Sequence, residues 1–445
     1  MYETYLAQID RAIEDAKTSL VQDLSRLIQL KSLYEAPSTE TPFGAGPLHM
    51  LNAAADMGEK GGLCVQDYHV GVISLALQEG QPDLGIWCYG DVERPGPGWT
   101  SSPFDAIQKQ DCIIGCGARS NKGPLCAILH LLKIFKKLEI PLKYKPALYI
   151  GSDQQTGMRD MTGIFGRTDA QGFCNVCTPP RLSLVPDGHF PVGYGGKGVL
   201  VIKFRGNKAL RNLTITAGQP DFPGTAEAIL QGESIAFRSP VRHASDPEPY
   251  GNMISQLMEE LLRRPETALE NRLMLDFFKL ISKDVYGKRL CIDAEHEEMG
   301  ALTICAKEIN TVSGYPDLTV QIHYPIGTTY GEIVRTLAEA AEKYDVSIVD
   351  AQNIAKPFLA GKESKLIRRL TSLANQVNRE ENEPYTLSKA TYANLLPNAL
   401  VYGMDDRWKT DTAYGVDESI SIDQLLKGMK IYARVLLELN EMEWE

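Results

Sequence analysis

The sequence has no long apolar run and no export signal. None of its 445 residues lies in an apolar stretch near the roughly 20 residues that span a bilayer. The opening segment, Met1 to Leu6, lacks the basic and apolar regions of a signal peptide. We therefore predict a cytoplasmic protein that does not bind membranes.

Excess positive charge and a disulfide framework are also absent. The formal net charge of −11 argues against general nucleic-acid binding, so we predict no nucleic-acid partner. The nine cysteines show no framework spacing, and most lie in apolar surroundings typical of buried thiols in a reducing compartment. Cys174 and Cys177 form one Cys-x-x-Cys pair, which is a weak sign of a redox or metal site, so their role stays open.

What the sequence does contain is a strand, turn, helix, strand pattern in its first half. Residues 84–89, 111–114 and 147–150 form short apolar runs that predict strands. The strand at 111–114 is followed by a glycine-rich turn at 115–123, a helix at 124–138 and the strand at 147–150. This order indicates a βαβ unit and hence a largely parallel sheet. The fold class predicted here is α/β.

The pattern changes after residue 197. Alternating segments at 199–204, 213–217, 301–304 and 318–324 predict antiparallel strands, with helices at about 252–263 and 328–343. Residues 198–356 are therefore predicted to form an inserted α+β domain. Residues 1–197 and 357–445 would together form the α/β domain that it interrupts.

Polar residues follow the predicted strands where ligands bind in α/β sheets, at the carboxyl ends. The apolar run 147–150 leads into a Gly-Ser-Asp turn and two adjacent amides. The other candidates are a Tyr-x-Asp motif, a glycine-rich turn at 115–123, a Pro-Asp pair and an Asp-Thr-Ala-Tyr segment. The candidate side chains are Tyr89, Asp91, Arg119, Ser120, Lys122, Gln154, Gln155, Asp187 and Tyr414.

Taken in order, these motifs resemble the di-zinc aminoacylase and dipeptidase family of metallopeptidases. That family includes PepV-type dipeptidases, carboxypeptidase G and succinyl-diaminopimelate desuccinylase. Supporting motifs are Gly98-Trp99, Pro103-Phe104 and the lid-like His243-Ala-Ser-x-Pro247. The resemblance implies a zinc-exopeptidase-like mixed sheet flanked by helices, with an inserted α+β lid or dimerisation domain.

The resemblance also implies a ligand set that this chain does not keep. In the family, two zinc ions share a bridging carboxylate, and a nearby Glu activates the bridging water. The family's His ligands fall on Tyr89 and Tyr414, the bridging Asp on Ser120, the general base on Gln154, an adjacent ligand on Gln155, and the retained ligand on Asp187. Asp91 matches the residue that orients the first His ligand. On this basis we expect no cofactor and no metal-dependent hydrolysis.

The substrate side departs from the family pattern as well. His243, which helps to hold the oxyanion in relatives, is retained. The family carries Arg near the positions of His323 and Asn394, where a bidentate guanidinium suits a terminal carboxylate. Recognition of ordinary dipeptides is therefore expected to be altered.

Several alternatives stay open at individual residues. Tyr89 and Tyr414 line a pocket, form a new catalytic pair, or act as unusual ligands. Lys122 is structural or contacts an anion. Arg119 neutralises Asp187, binds an anionic ligand, or is simply exposed. A different metal site could form from His189 together with Cys88 or Cys116.

For function, three hypotheses follow. The first is a degenerate homologue that keeps a cleft for a peptide-like or acyl-amino-acid ligand. The second is an active enzyme with metal-independent chemistry, and the third is a conventional metal-dependent dipeptidase with displaced ligands. A homo-oligomer through the lid domain, or pairing with an active paralogue, is the predicted assembly.

Overall fold

The computed structural model of the protein describes the chain except residues 1, 39–40, 166–167, 170–171, 174–176, 218–223, 240–251, 406–414 and 443–445. The chain divides into two units. The first comprises Met1–Gly195, Ala360–Tyr385 and Thr391–Glu445, and the second comprises Gly196–Leu359 and Thr386–Ala390. Whether the predicted domain boundaries are those of independently folding domains stays a prediction. In the described part of the chain, no helix is long and apolar enough to cross a membrane.

A mixed sheet forms the centre of the first unit. Six consecutive strands of this nine-stranded sheet are, in spatial order, Cys64–Asp67, Ile73–Ala76, Pro146–Gly151, Leu84–Tyr89, Leu182–Val185 and Ala399–Val401. The last four are parallel to one another, whereas the first two pair antiparallel. The predicted α/β class is confirmed, but the pairing predicted within the βαβ unit is wrong. Cys112–Ile114 pairs antiparallel in a separate three-stranded sheet, and the parallel neighbour of Pro146–Gly151 is Leu84–Tyr89.

The central strands are buried along their whole length, as expected for parallel strands covered on both faces. Trp87 stacks on Tyr149 with ring centroids 4.1 Å apart. The helix between these strands is also almost entirely buried. The longer helices of the unit are Tyr2–Asp15, Lys17–Gln29, Ala45–Lys60, Gly123–Lys137, Lys365–Asn378 and Ile422–Leu439.

The second unit contains a seven-stranded antiparallel sheet. Its strands, in spatial order, are Glu233–Ser239, Gly224–Leu230, Leu213–Ala217, Thr303–Val312, Tyr315–Tyr324, Gly198–Gly206 and Val346–Ala355. Alternate residues of the Gly198–Gly206 strand, such as Leu200, Ile202 and Phe204, enter its core. Three helices accompany this sheet: Met253–Arg263, Leu269–Lys283 and Tyr330–Glu342.

Candidate functional site

The candidate site lies in the first unit, where the strands Leu84–Tyr89, Pro146–Gly151 and Leu182–Val185 end. Tyr89 closes the first strand and is 1% exposed. Its hydroxyl donates a hydrogen bond of 3.4 Å to Oδ1 of Asp187, which follows the third strand. The first and third strand ends are thus joined by a phenol and a carboxylate.

Asp91 fixes the turn that carries the two adjacent amides. Its carboxylate oxygens accept hydrogen bonds from the backbone N–H groups of Gln154 (3.2 Å) and Gln155 (2.8 Å). Burial raises the pKa of the Asp91 carboxyl to about 8. The family role expected for Asp91 was to orient a metal ligand, whereas its described contacts position the amide pair.

A second buried carboxylate, Asp160, holds the start of the same turn. It accepts the backbone N–H groups of Ser152 (2.8 Å) and Asp153 (3.1 Å), together with the Tyr392 hydroxyl. Burial raises the pKa of Asp160 to about 6, although the Tyr392 hydroxyl opposes this shift. The turn is therefore fixed by two carboxylates before any ligand binds.

The glycine-rich turn is organised around a carboxylate that the sequence did not single out. Glu418 is 2% exposed, and its Oε1 accepts 2.9 Å hydrogen bonds from the Ser120 amide, the Ser120 hydroxyl and the Arg119 amide. Its Oε2 accepts the Gly117 amide at 2.9 Å. Successive backbone N–H groups in such a turn form a concave anion site, which here holds a side chain of the same chain. The Ser120 hydroxyl is thus committed to Glu418.

The charged residues of this turn also have partners. Lys122 is fully buried, and its ammonium donates to the carbonyls of Leu27 and Leu30, both at 2.9 Å. These carbonyls end the helix Lys17–Gln29, where acceptors are left over. The contacts favour the structural alternative for Lys122, and burial lowers its pKa to about 8. Nε of Arg119 lies 3.0 Å from Oδ1 of Asp405.

Three polar side-chain atoms, two on the amide-bearing turn and one on the glycine-rich turn, are buried and have no hydrogen-bond partner within the described residues. They are Oε1 of Gln154, Nε2 of Gln155 and Oδ1 of Asn121. The Asn121 amide nitrogen donates to the Pro186 carbonyl at 2.7 Å, which connects the glycine-rich turn to the Asp187 loop. Unpaired buried polar atoms are rare in folded proteins and mark places where a ligand or water binds.

The remaining candidates lie elsewhere or outside the described residues. His323 is in the second unit, where its Nε2 lies 2.9 Å from Nε2 of Gln321. Asn394 caps a short helix by accepting the Thr391 amide at 3.0 Å. The ring of His189 stacks on Tyr385 with centroids 3.7 Å apart. Three predicted residues fall outside the described part of the chain: Cys174, His243 and Tyr414.

With this geometry, the comparisons define the class of protein. The chain belongs to peptidase family M20/M25/M40, whose model matches residues 91–438, which is more than half of the sequence. The resemblance read from the motifs is therefore confirmed at the level of the family.

Among individual relatives, the chain is 26% identical over 464 residues to "Putative dipeptidase YtjP" of Bacillus subtilis (strain 168), covering 95% of this chain and 97% of the relative. Human carnosine dipeptidase 1 superposes with a TM-score of 0.64 at 13% identity, covering 98% of this chain and 100% of that one. The M20 family metallo-carboxypeptidase Sso-CP2 from Sulfolobus solfataricus gives 0.60 at 15% identity, covering 95% and 99%. The two structural likenesses confirm the fold.

Family membership corrects one expectation. Dipeptidases of this family are typically zinc-dependent, and Sso-CP2 is named a metallo-carboxypeptidase. The expectation that this chain needs no cofactor is therefore wrong, because zinc is the cofactor that the family implies.

The described side chains at the inherited positions nevertheless do not fit zinc. Zinc is bound by thiolate, imidazole and carboxylate, whereas Tyr89, Ser120 and the two glutamines offer hydroxyls and neutral amides. Asp187 is the single carboxylate among the described inherited positions. Within the described residues, no group of three or more His, Cys, Asp or Glu is placed to hold a metal ion. The zinc that the family implies and the side chains present at these positions therefore do not match.

Proposed function

We propose that this member of the dipeptidase family binds a peptide-like or acyl-amino-acid ligand in the inherited cleft and does not hydrolyse it by the family's zinc mechanism. The observation that carries the proposal is the donor set at the strand ends. Four described positions that the resemblance assigns to metal ligands or to the base hold neutral side chains: Tyr89, Ser120, Gln154 and Gln155.

The missing base weighs as much as the missing ligands. A general base must accept a proton near neutral pH, and the Gln154 amide does not. Asp91 stands nearby with a raised pKa, but both of its carboxylate oxygens accept backbone N–H groups. Asp187 has a Tyr89 hydroxyl on one oxygen. Neither carboxylate takes over the role that the resemblance gives to position 154.

Two observations support the ligand class: the names of the relatives and the rigid turn that carries the two glutamines. The relatives carry dipeptidase names. A protein can keep the shape of a binding cleft after its catalytic residues have changed, because one fold supports different chemistries. The turn that bears Gln154 and Gln155 is held by Asp91 and Asp160. Such a rigid turn presents polar groups to a bound amide at little ordering cost.

Hydrolysis assays test the proposal. The purified full chain is incubated with a panel of dipeptides and N-acyl amino acids, with added zinc and, in parallel, with a chelator. We expect no zinc-dependent release of free amino acids, whereas ligand binding should raise the melting temperature of the protein. Chelator-sensitive hydrolysis of any member of the panel would refute the proposal and favour a conventional enzyme with displaced ligands.

A further inference from the structure

The backbone of the amide-bearing turn is satisfied by protein groups alone. Asp160 accepts the N–H groups of Ser152 and Asp153, and Asp91 accepts those of Gln154 and Gln155. Four consecutive backbone donors are therefore consumed by two buried carboxylates. A ligand acceptor at this turn must therefore use side-chain donors, because these four backbone donors are taken.

The side chains of the same turn are the part that stays unsatisfied. Gln154 is 9% exposed, and its Oε1 has no partner within the described residues; the same holds for Nε2 of Gln155. In the glycine-rich turn, Asn121 is 1% exposed and donates from its amide nitrogen to the Pro186 carbonyl, whereas its Oδ1 has no partner within the described residues. Leaving such atoms unpaired costs free energy, which a ligand with the complementary groups would recover.

The unpaired atoms have a definite chemical complement. A carbonyl acceptor on Gln154 and an N–H donor on Gln155 match the N–H and C=O of an amide group. A carboxylate would face Gln154 Oε1 without a proton to donate, and an ammonium would leave the Gln155 donor unused.

We infer that Gln154 and Gln155 form a recognition site for an uncharged amide group, binding its N–H through one side chain and its C=O through the other. The inference rests on the proposed function and adds the group of the ligand that is recognised. Glutamate at both positions would supply acceptors and no donor for the amide C=O. The pair of glutamines supplies one acceptor and one donor, which makes the site selective for an amide group.

The test compares two ligands that differ in one group. Alanyl-alanine carries one peptide N–H, and in alanyl-lactic acid an ester oxygen replaces it while the termini are the same. Calorimetric titration of the full chain should show about tenfold weaker binding of the ester, because one hydrogen bond is lost and two acceptors face each other. In Gln154→Leu, this ratio should fall to about one, since the discriminating acceptor is gone.

Gln376→Leu is the matched control, because Gln376 is an exposed amide on the helix Lys365–Asn378, and this variant should keep the wild-type ratio. Equal affinities for amide and ester in the wild-type protein, or no binding of alanyl-alanine at millimolar concentration, would overturn the inference. If Gln154→Leu does not fold, Gln155→Met and the wild-type ratio still decide. Zinc-dependent cleavage of alanyl-alanine during the titration would refute the proposed function instead.

Discussion

The buried pair Tyr392 and Asp160 offers a direct test of how the amide-bearing turn is held. Tyr392 is fully buried, and its hydroxyl donates to the Asp160 carboxylate, which also accepts two backbone N–H groups of the turn. Tyr392→Phe removes that donor and little volume. Loss of a hydrogen bond costs about 1.5–3 kcal/mol when the acceptor is charged and about 0.5–1.5 kcal/mol when it is neutral.

The cost should depend on pH. Burial raises the folded-state pKa of Asp160 to about 6, above the roughly 3.9 of an unfolded aspartate. A group with a raised carboxyl pKa loses stability as pH rises through the folded-state pKa, because the unfolded chain ionises more readily. The Tyr392 hydroxyl reduces this loss by stabilising the carboxylate. Removing it should therefore cost about 2 kcal/mol near pH 8 and about 1 kcal/mol near pH 4.5.

Thermal or urea unfolding of the two proteins at both pH values measures this difference. Tyr402→Phe is the matched control, because the Tyr402 hydroxyl is equally buried but donates to the neutral Leu370 carbonyl at 2.9 Å. Its cost should be about 1 kcal/mol at either pH. A pH-independent cost for Tyr392→Phe, or one equal to that of the control at high pH, would refute the assignment of a charged Asp160 as the anchor of the turn.

Two further substitutions probe the same region. Gly151→Ala would place a Cβ 2.1 Å from the Tyr392 hydroxyl and 2.4 Å from Asp160, so we expect the unfolding free energy to fall by about 1–3 kcal/mol. Gly331→Ala is the control and should be neutral or stabilising, because its Cβ would meet no neighbouring group within 4 Å. Equal effects of the two substitutions would contradict the packing described here. The double variant Gln154→Glu with Gln155→Glu should show no zinc-dependent dipeptide hydrolysis. Tyr89 and Ser120, whose hydroxyl is bound to Glu418, still supply no zinc ligand. Restored hydrolysis would show that the metal site needs only those two carboxylates.

Elements with continuous apolar runs or clear helical periodicity could be predicted from the sequence. Leu84–Tyr89 is a strand with the predicted bounds, and the predicted helix at 124–138 is observed at Gly123–Lys137. The edge strand Val346–Ala355 was missed, because its partly exposed face carries polar residues such as Asp350 and Gln352, which give no apolar pattern.

At the site, contacts between residues close in the sequence could be predicted, whereas contacts between distant residues could not. The amide pair could be placed at a strand end because a short segment contains both the strand and the turn. The partner of Ser120 could not be predicted from the sequence, because Glu418 lies 298 residues away and no local pattern connects the two residues. The glycine-rich turn, with consecutive N–H groups able to surround an anion, was the one available sign that a carboxylate is bound there.

The central claim is that the site formed by Tyr89, Ser120, Gln154 and Gln155 binds an amide without cleaving it by the family's zinc mechanism. A single-turnover experiment tests this most directly. The full chain, with zinc added to the buffer and in molar excess over isotopically labelled alanyl-alanine, is incubated for many times the turnover time of an active dipeptidase. The mixture is then analysed for labelled alanine. We expect the dipeptide to be recovered intact. Stoichiometric, chelator-sensitive release of labelled alanine would contradict the claim.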